Sequence, residues 1–197
     1  MKLKLLEAVV ILICVFALFF AAFKIKESDY MYDETETVFA NVVNNIDFYI
    51  SNIESVLLGV YEESITGANL TPSQKEYITK MYILQNRVMF GSGIKQEGEK
   101  IYVDVNTFNL AYSYLFGTYH LNLDNMIELG NLSVERFRFE NRKVVSCEMI
   151  EDVYNIVIQY TSRLPEKDVS YNVRYNIGYK GGTYFLIGYT IDKVGGN

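Results

Sequence analysis

The sequence predicts an α+β protein: helices first, an antiparallel meandering, twisted sheet after, and a membrane span in front. Three observations predict it. Residues 5–23 form an apolar run whose one charge, Glu7, sits at its edge; apolar residues then recur at three-and-four spacing; and beyond Gly130 the period changes to two. Helices followed by a run of strands pack on one sheet face. The chain has 197 residues, half of them apolar, enough for one domain with a real core and an appendage.

The first element is LLEAVVILICVFALFFAAF, wholly apolar from Ala8 to Phe23. At ~1.5 Å per residue, Leu5 to Lys24 just crosses a ~30 Å hydrocarbon slab, so residues 1–26 are expected to form an anchor in contact with the lipid bilayer. A cleaved signal peptide needs small residues three and one before the cut, and Ala17, Ala21 and Ala22 never take that spacing. Lys2 and Lys4 precede the span and Lys24 and Lys26 follow it, whereas Glu27 to Thr66 holds nine acidic residues and no Lys or Arg. That asymmetry favours a cytoplasmic N-terminus and an extracytoplasmic domain in the cell membrane.

Residues 27–34 are expected to be an acidic linker and residues 35–197 the α+β domain. Removing the anchor's four lysines and one glutamate from 18 basic and 24 acidic residues leaves a net charge of −9, the wrong sign for nucleic acid or anionic headgroups. Cys147 is the one cysteine beyond the span, so no disulfide forms within the domain.

Residues 35–64 place Phe39, Val42, Val43, Ile46, Tyr49, Ile50, Ile53, Val56, Leu57, Val60 and Tyr61 on one face of a long helix, with Asn41, Asn44, Asn45, Asp47, Ser51, Asn52, Glu54 and Ser55 on the other. A second helix starts at Thr71-Pro72-Ser73-Gln74, a capping box with proline at the first helical position. Its expected buried stripe is Tyr77, Ile78, Met81, Leu84 and Val88, and Gly91-Ser92-Gly93 ends it. KQEGEK is a polar turn before the strand IYVDV, and Asn106 opens a third helix with Leu110, Ala111, Tyr114 and Leu115 on one face. LNLDNMIELG adds a further helical turn or two.

Strands follow at VERFRF, KVVSCEMI and VYNIVIQYTS, where Tyr154, Ile156, Ile158 and Tyr160 share the buried face. The last hairpin, YNVRYNIGYKGGTYFLIGYTID, admits two registers. A two-residue Gly181-Gly182 loop sets Asn176 against Ile187, whereas a three-residue Lys180-Gly181-Gly182 loop pairs Ile177 with Phe185, Tyr175 with Ile187 and Val173 with Tyr189. The three-residue loop keeps the apolar rows together and is expected. It leaves Asn172, Arg174, Asn176, Tyr184 and Leu186 on the outer face, the candidate interaction face.

The order long helix, capped helix, short strand, third helix and long twisted strands resembles the cystatin-like fold of the nuclear transport factor and ketosteroid isomerase superfamily, and GGTYFLIGYTID is similar to its last strand. With a single N-terminal span, the chain resembles the bitopic assembly proteins of conjugation and type IV secretion machines. That resemblance implies a component of a cell-envelope complex. Pilins and pseudopilins are a second resemblance, through the early Glu7 after LKLL, although no small residue stands where their peptidase cuts.

No catalytic constellation is visible, and catalytic, cofactor-binding and metal-binding residues are expected to be none. His120 is the only histidine, which excludes a multi-histidine metal site, and Asp124 is its candidate partner at helical spacing. Cys147 alternates with Val145 and Met149 as a small buried hydrophobe. Ketosteroid isomerase-type chemistry, which the resemblance brings up, uses a carboxylate and a tyrosine, and nothing singles out Asp104 or Asp152. The expected function is a non-enzymatic, membrane-anchored binding or assembly module with protein partners, homo-oligomers among them. Pilin-like assembly and a small-ligand-binding or isomerase-type domain are the alternatives.

Overall fold

The computed structural model describes residues 38–59, 66–120, 124–130, 139–164 and 167–194. The expected anchor and linker, and VERFRF up to Arg138, lie outside the described residues. Among the described residues no helix is long and apolar enough to cross a membrane. Residues 46–197 form one compact unit; residues 1–45 cluster separately, and of these residues 38–45 are described and helical.

The protein is α+β, with two antiparallel sheets. Residues 38–51 form α1 and Glu54–Gly59 form α2, so the long helix expected over 35–64 is broken. The break has a local cause. Ser51 Oγ and Asn52 Nδ2 both donate to the Phe48 carbonyl, at 2.7 and 2.9 Å, and the Asn52 and Ile53 amides then tighten onto Tyr49 and Ile50. Side chains that bond the preceding turn compete with the helical ladder.

Helix α3, Pro72–Gln85, begins as expected. The Thr71 hydroxyl accepts from the Gln74 amide at 3.3 Å, and the Gln74 side chain accepts from the Thr71 amide at 2.8 Å. Ile78, Met81 and Leu84 are buried, but the helix stops at Gln85, where Asn86 Nδ2 donates to the Tyr82 carbonyl. Val88, expected in the stripe, is 99% exposed.

KQEGEK is not only a turn: β1 (Ile94–Glu97) and β2 (Lys100–Asp104) form a hairpin through it. Helix α4, Val105–Phe116, is capped by Asp104, whose carboxylate accepts from the Thr107 amide and hydroxyl at 2.9 and 2.7 Å. Ala111 and Leu115 are buried as expected, but with Phe108, Tyr112 and Phe116, while Leu110 is 64% exposed. Met126–Glu128, expected to be helical, is β3, and Val103 opposite Ile127 aligns it on β2. Pairing in β1-β2-β3 overrides a weak helical spacing.

The main sheet is the meander β4 (Asn141–Ile150), β5 (Val153–Leu164), β6 (Lys167–Lys180) and β7 (Thr183–Val194). Ile156, Ile158, Tyr160, Val173, Tyr175, Ile177, Leu186 and Tyr189 form its fully buried face. Ile46, Tyr49, Ile50, Ile53, Val56 and Leu57 are the buried side chains of α1 and α2. Each such aliphatic side chain removed from water contributes about 1.5–3 kcal/mol.

The last hairpin departs from its expected register. Gly181 and Gly182, at φ 60° and 86°, make a two-residue turn, pairing Lys180 with Thr183, Tyr179 with Tyr184 and Ile177 with Leu186. Two positive φ values suit a turn whose twist matches the strands, which glycine allows without a Cβ penalty. A shift between Asn176 and Ile177 leaves Ile187 extra on β7, and the register continues as Tyr175 opposite Tyr189 and Val173 opposite Ile191. A bulge thus restores the apolar rows that a two-residue loop alone would scatter.

The free edge of β7 is sealed at this bulge. Gly67 and Tyr189 exchange amide–carbonyl bonds of 2.8 Å, the Leu70 amide donates to Ile187, and the Leu186 amide donates to Tyr49 Oη at 3.1 Å. A Cβ on Gly188 would overlap the Gly67 and Ala68 carbonyls, so this crossing requires glycine.

Candidate functional site

Charged groups converge where the α1–α2 break meets the sheet. Arg142 on β4 forks onto Asp47, with Nη1 and Nη2 at 3.0 and 2.6 Å from its two oxygens, and its Nε donates to Glu54 Oε2 at 2.7 Å. Tyr160 Oη donates to the same Glu54 oxygen at 2.6 Å and lies 2.9 Å from Tyr175 Oη. Tyr160 has one proton and spends it on Glu54, so Tyr175 donates to Tyr160. Burial opposes the Arg142 charge, yet Asp47 and Glu54 outweigh it and raise the guanidinium pKa. Burial, then Tyr175 and Glu54, push the Tyr160 phenol far up. Glu54, expected on the polar face, is 5% exposed and accepts from two donors, so this cluster clamps the helix break to the sheet.

Six tyrosines of the last hairpin and its neighbour strand split between two environments, and Tyr171, opposite Lys193, is half-buried apart from both. Tyr160, Tyr175 and Tyr189 are fully buried, and Tyr189 Oη donates to the Leu57 carbonyl at 3.2 Å. Tyr154, Tyr179 and Tyr184 sit on the same sheet face at the end carrying the two tight turns. Tyr179 and Tyr184 rings lie 4.8 Å apart and Tyr154 and Tyr184 rings 6.2 Å apart, with Met149 opposite Tyr154. Tyr179 is 50% and Met149 58% exposed, so the cluster is an open aromatic shelf. Burial, then Tyr154, Tyr179 and Cys147, raise the Tyr184 phenol pKa.

The five residues expected on the outer face do not stay together. Asn172, Arg174 and Asn176 share it, opposite Asp192, Thr190 and Gly188, and Arg174 is exposed. Asn176 Nδ2 donates to the Ala68 carbonyl at 2.9 Å, tying the residue to the segment that seals β7. Leu186 is fully buried beside Ile177, and Tyr184 belongs to the shelf, because the two-residue turn moves both to the other face. Phe185 takes their place on the outer side. No local signal distinguishes a three-residue loop from a two-residue loop plus a bulge four residues on.

Residues weighed for chemistry remain scattered. His120 lies between the Phe108 and Tyr112 rings with Nε2 3.6 Å from Glu76, and residues 119 and 120 are not helical, so the expected spacing to Asp124 does not hold. Cys147 is half-buried, not fully, since β4 is the edge strand of the sheet among the described residues, and a bulge between Val144 and Ser146 leaves Val145 unpaired and exposed; burial and Glu148 raise the Cys147 thiol pKa. Burial opposes the Asp104 charge, but bonds from Thr107 and Asn106 outweigh it and lower its pKa, a capping role. Asp152 occupies the β4–β5 turn at φ 64°. Among the described residues no group of three or more His, Cys, Asp and Glu is placed to hold a metal ion. Compared with protein-family models, curated proteins and solved structures, the chain matches none.

Proposed function

We propose that this protein is a single-pass, membrane-anchored binding and assembly module, not an enzyme, with a cytoplasmic N-terminus and an extracytoplasmic domain of cystatin-like type. The apolar run at residues 5–23 supports the anchor, and helices preceding a four-stranded meander support the fold type. The observation that carries the binding role is the Tyr154–Tyr179–Tyr184 shelf with Met149. Tyrosine and methionine are enriched at protein interfaces, and these stand on strands that also carry Tyr160, Tyr175 and Tyr189, which are locked in the core. Tethering raises the effective concentration of neighbours in the same membrane, so weak shelf contacts suffice for assembly in a secretion- or conjugation-type complex.

The test is photocrosslinking of the full-length chain in membranes, with the crosslinker at Tyr179 and, as a control, at Lys95. Adducts of discrete mass from Tyr179 and none from Lys95 are expected, to a second copy or to another membrane protein. Absence of adducts from both positions sinks the assembly role.

A further inference from the structure

A separate cleft of about 310 Å³ opens between the C-terminal end of α4 and the β6–β7 turn, at the lower end of the range for small-molecule pockets. We propose that it binds a small ligand carrying a single carboxylate on an aromatic-sized ring. This is independent of the shelf.

Phe185 forms one wall and is held in place by absences. A Cβ on Gly178 would overlap its ring, and one on Gly117 would stand 2.9 Å from it, so the ring rests against two backbones stripped of side chains. Tyr114 and Tyr119 add two more rings. Tyr114 stacks on Tyr82 with ring centroids 5.8 Å apart, which holds its ring as part of the wall. A planar body is therefore favoured.

The polar lining selects the charge. Lys180 is the one Lys, Arg, Asp, Glu or His in the lining, and among the described residues it makes no ion pair, unlike Lys80, Lys100 and Arg142. Thr183 and Tyr119 bring hydroxyl donors, while Ser113 spends its proton on the Leu110 carbonyl. The Lys180 ammonium, which only donates, beside two hydroxyls that can donate, fits a carboxylate, which only accepts. A doubly charged phosphate is disfavoured relative to a carboxylate, because the C-terminal carbonyls of α4, the negative pole of the helix, oppose two charges more than the single one that Lys180 offsets.

The experiment is ligand-observed NMR on the full-length chain in mild detergent, titrated with benzoate, benzamide and phenyl phosphate, and repeated with Lys180→Gln and Tyr119→Ala. Lys180 is exposed beside a turn, so Lys180→Gln is expected to leave the fold intact, which circular dichroism checks. Benzoate is expected to bind in the millimolar range and about fivefold more tightly than benzamide, the worth of one part-exposed ion pair. Lys180→Gln brings benzoate down to the benzamide level without changing benzamide, and Tyr119→Ala weakens both. A peptide ending in phenylalanine, compared with its C-terminal amide, tells a chain terminus from a free acid as the carboxylate's source. The proposal is overturned if benzoate shows no saturable binding, if benzamide or phenyl phosphate binds as well, or if Lys180→Gln leaves benzoate unchanged.

Discussion

Replacing Arg142 by methionine removes the one cation facing Glu54 in the clamp while keeping most of the side-chain volume. Glu54 is 5% exposed, so its carboxylate is left buried with the Tyr160 hydroxyl as its remaining described donor. Breaking a buried pair by removing one partner costs about 3–5 kcal/mol, chiefly the uncompensated charge. The Asp47 half is weaker: its side chain is 30% exposed, and losing that pair adds no more than about 1 kcal/mol. Arg142→Met is therefore expected to lower the unfolding free energy by about 3–5 kcal/mol. Glu54→Gln in the Arg142→Met background removes the orphaned charge, and the double variant recovers more than half of the loss. The assay is urea unfolding of the full-length chain in detergent, followed by far-ultraviolet circular dichroism, since the chain has no tryptophan. A single-variant loss below about 1 kcal/mol, or a double variant no better than the single, refutes the claim that Glu54 is held as a buried anion by Arg142.

Three further outcomes are measurable with the same protein. Gly188→Ala is expected to cost about 1–3 kcal/mol and to speed amide exchange at Gly67 and Leu70, because the new methyl overlaps two carbonyls rather than a flexible side chain; unchanged exchange there contradicts the sealed edge. Asp152→Gly is expected to stabilise by about 0.5–1 kcal/mol, since Glu151 and Asp152 both hold positive φ without being glycine; a lower midpoint in urea contradicts this. Alkaline pH is expected to unfold the domain. Burial raises the phenols of Tyr49, Tyr160, Tyr175 and Tyr189, and that of Tyr82 to about 12. Each binds its proton more tightly folded than unfolded, so its contribution is complete below the unfolded value near pH 10 and is lost as pH rises through the folded value. Tyrosinate absorbance from these residues then arrives together with the loss of circular dichroism. Absorbance that completes while the signal stays native counts against their burial.

The helical half and the meander are legible in the sequence because burial imposes a period, and Ile156, Ile158 and Tyr160 or Ile46, Ile50 and Ile53 display it plainly. Thr71 and Gln74 show their cap for the same local reason. What the sequence hides depends on partners far along the chain. Glu54 looks like a solvated helical residue until Arg142, 88 residues on, is folded against it. Met126–Glu128 becomes a strand only because β2 is there to pair with it. The tyrosines are the clearest case: no local pattern separates Tyr175 in the core from Tyr179 on the shelf, four residues later on the same face.

The extra residue at Ile187 also changes what the last hairpin can tolerate. From the turn to Leu186, β6 and β7 are aligned by the two glycines; from Gly188 onward they are aligned by the core. The bulge is a slack link between these two constraints. A residue removed from the turn can be absorbed by closing the bulge, which would set Tyr184 opposite Lys180 and return Tyr184 and Leu186 to the outer face while leaving Tyr175, Tyr189 and the core below them in place. The tip of this hairpin can therefore be rewritten, length included, without rewriting the domain beneath it.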